Sequence, residues 1–294
     1  MTYSILGRDR ATGDVGAAVQ SAWYSAGAGV LWVEAGIGAV ATQAIGERAF
    51  GHLGLQMMTA GSAPTQVVAS LVAGDVTPGV RQIGVIDLST TPAAFTGSDC
   101  VPNAEHQPGA DCVAQANMMT SPGVPEAMVA AFEAGAGDLT DRLLAALDAA
   151  QALGGDFRGM QSAGLVVRTG ERGAPAWTTA LVNVRVDDHR EPLAELRRLA
   201  GLSRAYRNSN LSLERLASGD HSGAVEAARD LCSHVAGDLN ARMRLGLTLA
   251  AGGDPEGAEI LGAMAEQSGR WLAYARSLCL RYGIDPQPIL DRLR

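Results

Sequence analysis

Period-two alternation opens the chain. Thr2, Ser4 and Leu6 fall on one face and Tyr3, Ile5 and Gly7 on the other, the spacing of a strand with two distinct surfaces. A second such run covers 14–21, after Asp9-Arg10-Ala11-Thr12-Gly13, and a glycine in so short a connection predicts a hairpin. The stretch Gly36-Ile37-Gly38-Ala39-Val40-Ala41-Thr42-Gln43 reads as another strand, its glycines marking close backbone approach. Helical spacing takes over at about 47–60 and again from Pro64 to about Ala73, with Pro64 in the tolerated first turn. Segments 81–87 and 93–96 form a second predicted hairpin. A polar, Gly- and Pro-rich loop is expected over 97–112, and ordered loops of that length commonly line sites. A strand at 113–117 is followed by helices at about 122–134 and 138–153. Asp138 is placed to cap the second, and Leu139, Leu143, Leu147 and Ala150 make its apolar stripe. Strands at about 161–168 and 177–187 complete the set. Strands grouped between pairs of helices point to an α/β sandwich of antiparallel sheets rather than to βαβ alternation.

From Glu191 onward the pattern is helical, and a domain boundary is expected at 205/206, dividing 1–205 from 206–294. Gly219-Asp220-His221-Ser222-Gly223-Ala224 recurs as Gly253-Asp254-Pro255-Glu256-Gly257-Ala258. The offset between the two is 34 residues, the tetratricopeptide period, so a small helical-repeat domain is expected. Two copies are few, and such a domain needs a neighbour or a partner subunit to cover it.

Composition narrows the function. The chain has 294 residues, 47% hydrophobic and only 4% aromatic, with 36 glycines, so its core must be built from Ala, Val, Leu and Gly. A net charge of −8 and no basic stripe argue against a nucleic-acid partner or an anionic membrane. No apolar run reaches membrane-spanning length, and the first residues lack the regions of a signal peptide, so a cytoplasmic protein is expected. Cys100, Cys112, Cys232 and Cys279 form no C-x-x-C pair and the five histidines no H-x-x-x-H, which argues against a zinc site and for buried free thiols. The chain has no G-x-S-x-G, P-loop or strand-following G-x-G-x-x-G, and no cofactor is expected.

Three polar clusters stand out. In Asp156-Phe157-Arg158-Gly159-Met160-Gln161-Ser162, the arginine suits bidentate recognition of a carboxylate or forms a salt bridge within the loop. In Asp187-Asp188-His189-Arg190, the acids orient a proton donor or one of them caps the following helix. Asn117, ending a strand at Gln115-Ala116-Asn117, is an oxyanion donor or turn chemistry. A thiol mechanism through Cys100 or Cys112 would need His106 to meet one of them in space.

The opening Thr2-Tyr3-Ser4-Ile5, Gly36 to Gln43, Arg81-Gln82-Ile83-Gly84 and Gln115-Ala116-Asn117-Met118-Met119 carry a family resemblance. So do Gly154-Gly155-Asp156 with Arg158-Gly159, Gln161-Ser162-Ala163, and Asp187-Asp188-His189. Over about 2–200 the chain resembles DUF1028, a family placed in the N-terminal-nucleophile (Ntn) hydrolase superfamily, some members of which carry a tetratricopeptide-like tail. The resemblance implies a four-layer αββα sandwich and an amide-bond hydrolase; Arg158 and the lack of an extended basic or apolar surface point to a small, anionic amide or ureide as substrate. Thr2, exposed by removal of Met1, would attack, with its own α-amine as base. Polarity and position within these motifs make Ser21, Asn117 and Asp188 candidates for catalytic roles and Thr42, Asp156, Arg158, Gln161, Ser162 and His189 candidates for substrate contacts, with no metal. One departure concerns the residue after Ser21, where members often carry Lys or His and this chain has Ala22. A homo-oligomer is expected, with the helical tail free to take a protein partner. The competing reading is a catalytically silent Ntn-fold scaffold that works through that tail.

Overall fold

A computed structural model describes residues 2–293 of the chain. The first half of the fold runs β1 (Thr2–Arg8), β2 (Val15–Ser21), α1 (Ala26–Val30), β3 (Leu31–Glu34), β4 (Gly38–Ala44), α2 (Ala49–Thr59) and α3 (Pro64–Ala73). It continues with β5 (Arg81–Asp87), β6 (Ala93–Thr96), β7 (Glu105–Pro108), β8 (Cys112–Asn117), α4 (Val124–Ala134), α5 (Leu139–Ala152), β9 (Ser162–Arg168) and β10 (Ala180–Val186). A six-stranded sheet has the order β10-β9-β2-β1-β8-β7, and a four-stranded sheet the order β3-β4-β5-β6. Every neighbouring pair is antiparallel. The protein is thus a mixed α/β fold with antiparallel sheets, as the grouping of strands and helices predicts.

Alternation along β1 decides what each face meets. Tyr3 and Ile5 join Met128 and Phe132 of α4 and Leu143 and Leu147 of α5 in one buried cluster. Leu6, one register out, packs with Val15, Ala17 and Val19 of β2 and with Ala39, Ala41 and Ile86 of the other sheet. The opposite face of the smaller sheet, through Val40, Ile83 and Val85, meets Phe50, Leu55 and Met58 of α2 and Val67 and Leu71 of α3. Small residues permit this closeness. A Cβ on Gly7 would stand 2.6 Å from the Phe132 ring, and one on Gly51 1.9 Å from that of Trp32.

Arg8 closes the far end of β1. It is 1% exposed and donates from Nε to Asp111 Oδ1 at 2.9 Å, from Nη1 to Asp87 O (3.0 Å) and Thr90 O (2.6 Å), and from Nη2 to Ala110 O (3.0 Å). A guanidinium so buried is tolerated because these acceptors replace its water.

The structure corrects the sequence reading in two places. The expected loop at 97–112 contains β7, and 26–34, left unassigned, contains α1 and β3. β7 is short and largely exposed, with the polar sequence of an edge strand. Asp138 caps α5 as expected, accepting from Asp141 N at 3.1 Å.

The helical region comprises α6 (Pro192–Ala217), α7 (His221–His234), α8 (Leu239–Gly252), α9 (Pro255–Gln267), α10 (Arg270–Arg281), α11 (Gln287–Leu290) and a final 3₁₀ turn, Asp291–Leu293. The boundary between two compact units falls inside α6, between Ala200 and Gly201; the sequence reading put it at 205/206. The recurrent Gly-Asp turns are built alike. Gly219 (φ +87°) and Gly253 (φ +85°) both end a helix in the left-handed region. Asp220 N and Asp254 N then bond to Arg215 O and Leu249 O, and each Asp side chain caps the next helix. Among the described residues no helix is long and apolar enough to cross a membrane.

Replacing Arg8 by Met strands three carbonyls and removes the charge paired with Asp111. We expect a loss of about 3 kcal/mol, the low end for breaking a buried ion pair because Asp111 keeps some water contact, measured by urea denaturation.

Candidate functional site

At the head of β1 the inter-sheet layer turns polar. Thr2 lies opposite Ser21 on β2 and Asn117 on β8. Thr2 Oγ1 is 3.0 Å from Ser21 Oγ, and Ser21 and Asn117 are fully buried. Thr2 itself retains 6% exposure. A hydroxyl therefore stands at the start of a central strand, with a hydroxyl on one side and an amide on the other. The expected removal of Met1 lies outside the described residues.

A buried amide network, which the sequence reading missed, supports this row. Gln43 Nε2 donates to Thr2 O (3.1 Å) and to Gln82 Oε1 (2.7 Å), while Gln43 Oε1 accepts from Ser4 Oγ (2.7 Å). Gln82 Oε1 also accepts from Asn117 Nδ2 at 2.9 Å. Gln82 Nε2 donates to Thr96 Oγ1, Glu105 O and Ala116 O at 2.9–3.0 Å. Gln115 Nε2 reaches Ser4 Oγ and Ala41 O at 3.3–3.4 Å. Asn117 Oδ1 is buried without a partner, and its Nδ2 keeps a second N–H beyond the bond to Gln82. The available signal was three glutamines set singly in apolar strands: Thr42-Gln43, Gln82-Ile83 and Ala114-Gln115.

The other predicted residues divide into three groups. Asp156 comes to the head of β1: its carboxylate is buried, Oδ2 accepts from Ala22 N at 3.2 Å and Oδ1 from Arg158 N at 2.8 Å, and Arg158 Nη2 pairs with Oδ2 at 3.3 Å. Both readings of the arginine therefore have ground, since the loop ion pair exists while Arg158 also lines a cleft. That cleft, ≈ 720 Å³, is lined by Ala22, Arg158, Met160, Gln161, Asp188, His189 and Arg190. Gln161 Nε2 donates to Asp188 Oδ1 at 3.1 Å, and His189 Nδ1 accepts from Glu191 N at 3.0 Å, so the imidazole, not Asp188, satisfies a backbone N–H ahead of α6.

Ser162 and Thr42 are placed elsewhere. Ser162 Oγ donates to Trp23 O (2.5 Å) and accepts from Ala26 N (2.9 Å), which commits it to shaping the loop after β2. Thr42 shares its side of β4 with Val40, which packs on α2 and α3, so it faces away from Thr2. Its neighbour Gln43 faces Thr2 instead. Thr42 is thus one register step out of the row at Thr2.

Two further observations mark this end of the sheets. Ser25, Ala44 and Met118, with φ of +54°, +66° and +60°, follow closely on Ser21, Gln43 and Asn117. Left-handed conformations at non-glycine residues cost about 1 kcal/mol or more each and gather at functional sites. Trp23, Tyr24, Ile45 and Phe157, 62–66% exposed, edge the same strand ends.

The thiols do not support a nucleophile. Burial pushes Cys112 up to about 12, with Glu133 adding to the effect. Burial also raises Cys100, whose Sγ donates to Arg81 O, and it lowers His106, whose Nδ1 sits 2.9 Å from Thr96 Oγ1. All four cysteines are free, but only Cys112 and Cys279 are fully buried. Among the described residues no group of His, Cys, Asp and Glu could hold a metal ion.

Fold and site together define a mixed α/β protein with antiparallel sheets and a buried Thr–Ser–Asn row at the head of a central strand. Residues 2–196 match the family model DUF1028, described as a family of unknown function, and the chain belongs to that family. The crystal structure of protein SPO2555 from Silicibacter pomeroyi, carrying the same family model, is similar to it. That likeness has 32% identity and a TM-score of 0.61, over 67% of this chain and 87% of the other. No curated protein matches the chain.

Gln82→Leu should strand Asn117 Nδ2 and the Glu105 and Ala116 carbonyls, at about 1–3 kcal/mol for each group left unpaired. Thermal unfolding would show the loss, and a Gln82→Leu/Asn117→Leu double variant should lose less than the two single changes combined. Iodoacetamide at pH 8 should leave Cys112 unmodified in the folded protein, because the thiolate is scarce four units below its pKa. Peptide mapping before and after unfolding reads this directly.

Proposed function

We propose that the chain is an N-terminal-nucleophile amidohydrolase, with Thr2 as nucleophile once Met1 is gone. The observation that carries the reading is the hydroxyl of Thr2 at the head of β1, 3.0 Å from Ser21 Oγ and across the ladder from Asn117. Helical clusters on the outer faces of both sheets support an αββα reading of the fold. Equivalent Gly-Asp turns 34 residues apart support a tetratricopeptide-like tail, and with it a homo-oligomer or a protein partner.

In the proposed reaction Thr2 Oγ1 forms a bond to the carbonyl carbon as its proton passes to the α-amine. The tetrahedral oxyanion collapses, the C–N bond breaks, and the ammonium gives its proton to the departing nitrogen. Water then adds to the acyl ester, losing a proton to the amine, and Thr2 leaves as the hydroxyl when that proton returns. Asn117, through its second Nδ2 N–H, and Ser21 Oγ, both across the ladder from Thr2, are assigned as donors to the developing oxyanion. Arg158, His189 and Arg190, with Asp188 among them, line the neighbouring cleft and favour a small anionic amide or ureide. No residue of the chain is lysine, so amine catalysis falls to the α-amine or to nothing. Since an α-amine titrates near 7.7–8.0 and acts when neutral, activity should rise with pH through that region.

A second reading is a silent scaffold that takes a protein partner through its helical tail, supported by the equivalent capped Gly-Asp turns there. Loss of a partner on deleting 206–294, with no amidase activity across a broad panel, would favour it.

The N-terminus is tested by intact mass, and Thr2→Ala should lower amidase activity about 10⁴-fold or more. Asn117→Ala should lower kcat about 10²–10³-fold. Met1 present on the native protein, or full activity in Thr2→Ala, would sink the mechanism.

A further inference from the structure

Antiparallel register extends one step past the head of β1. Thr2 faces Ser21 and Asn117, so the next positions along those two neighbouring chains are Ala22 and Met118. Both are tied to a single segment. Asp156 Oδ2 accepts the Ala22 N–H, Phe157 N donates to Met118 O at 3.5 Å, and Met119 bridges to Asp156. The segment therefore crosses the head of β1 and brings a fully buried carboxylate side chain to the end at which the Thr2 nitrogen stands.

We propose that Asp156 is the positioning residue for the Thr2 α-amine, holding it through a charge-assisted hydrogen bond when the chain begins at Thr2. The inference rests on the reading of Thr2 as an N-terminal nucleophile, and it assigns Asp156 to the amine instead of to substrate. Its physical consequence has two parts. A fixed carboxylate limits rotation of the amine, keeping its lone pair toward Oγ1. An opposite charge within reach also favours the ammonium form and raises the amine's proton affinity. Too strong a pair would lock the base in its inactive protonated state, and Arg158, paired with the same carboxylate, opposes that.

The charge of Asp156 is felt next door. Burial first, then Asp156, then Asp148 of α5, push the Tyr3 hydroxyl well above its ordinary value. The other charged or titratable groups around this end are Asp188, His189 and Arg190 of the cleft beside Ala22. Their side chains are not held against Ala22 N as Asp156 is.

The absence of lysine makes the test direct: the α-amine is the only primary amine in the chain. The full chain is prepared with Thr2 first, released from a fused leader where the initiator methionine persists. Cyanate labelling of the α-amine is then followed against pH by intact mass. Asp156→Asn should lower the amine's proton affinity about tenfold or more, and Arg158→Gln should raise it about threefold. Opposite movements from adjacent residues identify a charge effect, which general loosening of the loop would not produce. Unmoved midpoints in both variants overturn the proposal. Where near-ultraviolet circular dichroism shows that Asp156→Asn has not folded, Arg158→Gln decides alone, and no rise overturns it. Amidase activity that survives Thr2→Ala ends the nucleophile reading, whereas unmoved midpoints beside a Thr2-dependent amidase end only the role of Asp156.

Discussion

Amide side chains buried between two sheets impose the constraint on which the rest of the structure depends. A buried amide without partners costs roughly 1–3 kcal/mol per stranded group, so Gln43, Gln82, Gln115 and Asn117 depend on one another and on nearby backbone for their bonds, with Gln115 Oε1 and Asn117 Oδ1 left unpaired. That arrangement spans both sheets. Gln43 Nε2 bridges from β4 to Thr2 O on β1, and Gln82 Oε1 on β5 gathers Gln43 and Asn117. Slipping β4 by one residue would point Gln43 at α2 and α3 and bring Thr42, too short to reach, toward β1. The network therefore fixes how the sheets register, and with it where Thr2 sits. Further along β1 the layer is apolar, with Leu6, Val15, Ala39 and Ile86, until Arg8 bonds across to Asp87 at its far end.

This division explains what was legible in the sequence. Helices with stripes or caps of their own, such as Pro64 to Ala73 and the Asp138-capped α5, were readable because their signals are local. The hairpin of β1 and β2 was readable through alternation and a turn glycine, which adopts φ +79° at Gly13. β3 was not, since four residues following a five-residue helix carry no period of their own, and their pairing with β4 supplies the structure. β7 likewise exists because β8 offers it an edge. At the head of β1, Thr2 and Asn117 were legible as strand-end polar residues, whereas Ser21 was picked out only through the family resemblance. That Gln43 and not Thr42 faces Thr2 was not legible, because register is a property of the partner sheet. Ser162 looked like a ligand-facing hydroxyl, but its proton and lone pair serve Trp23 O and Ala26 N. Sequence shows that a polar group is present; only the fold shows whether its hydrogen bonds are already spent.

The cation inventory sharpens the chemistry. All 23 basic side chains are arginine, which stays charged at any physiological pH and cannot act as a base. A site at the head of β1 that moves protons must then use an amine that is not a side chain, a histidine or a carboxylate. His189 is the nearby imidazole, and its Nδ1 is occupied with Glu191 N. Arginine is free to set the electrostatic field without competing for the proton, which suits Arg158 beside Asp156.

Ala22 then reads differently from how it does in isolation. A lysine or histidine there would act on an amine through its side chain. Here position 22 contributes its backbone N–H, which donates to Asp156 Oδ2 and helps hold the carboxylate over the end of β1. That contribution is independent of the side chain at 22, whereas loss of the carboxylate at 156 would remove the acceptor altogether. The methyl group also leaves the cleft wall small beside Arg158 and His189, which leaves room for a ligand where a longer side chain would reach. A backbone bond from position 22 thus reaches a buried carboxylate 134 residues further on.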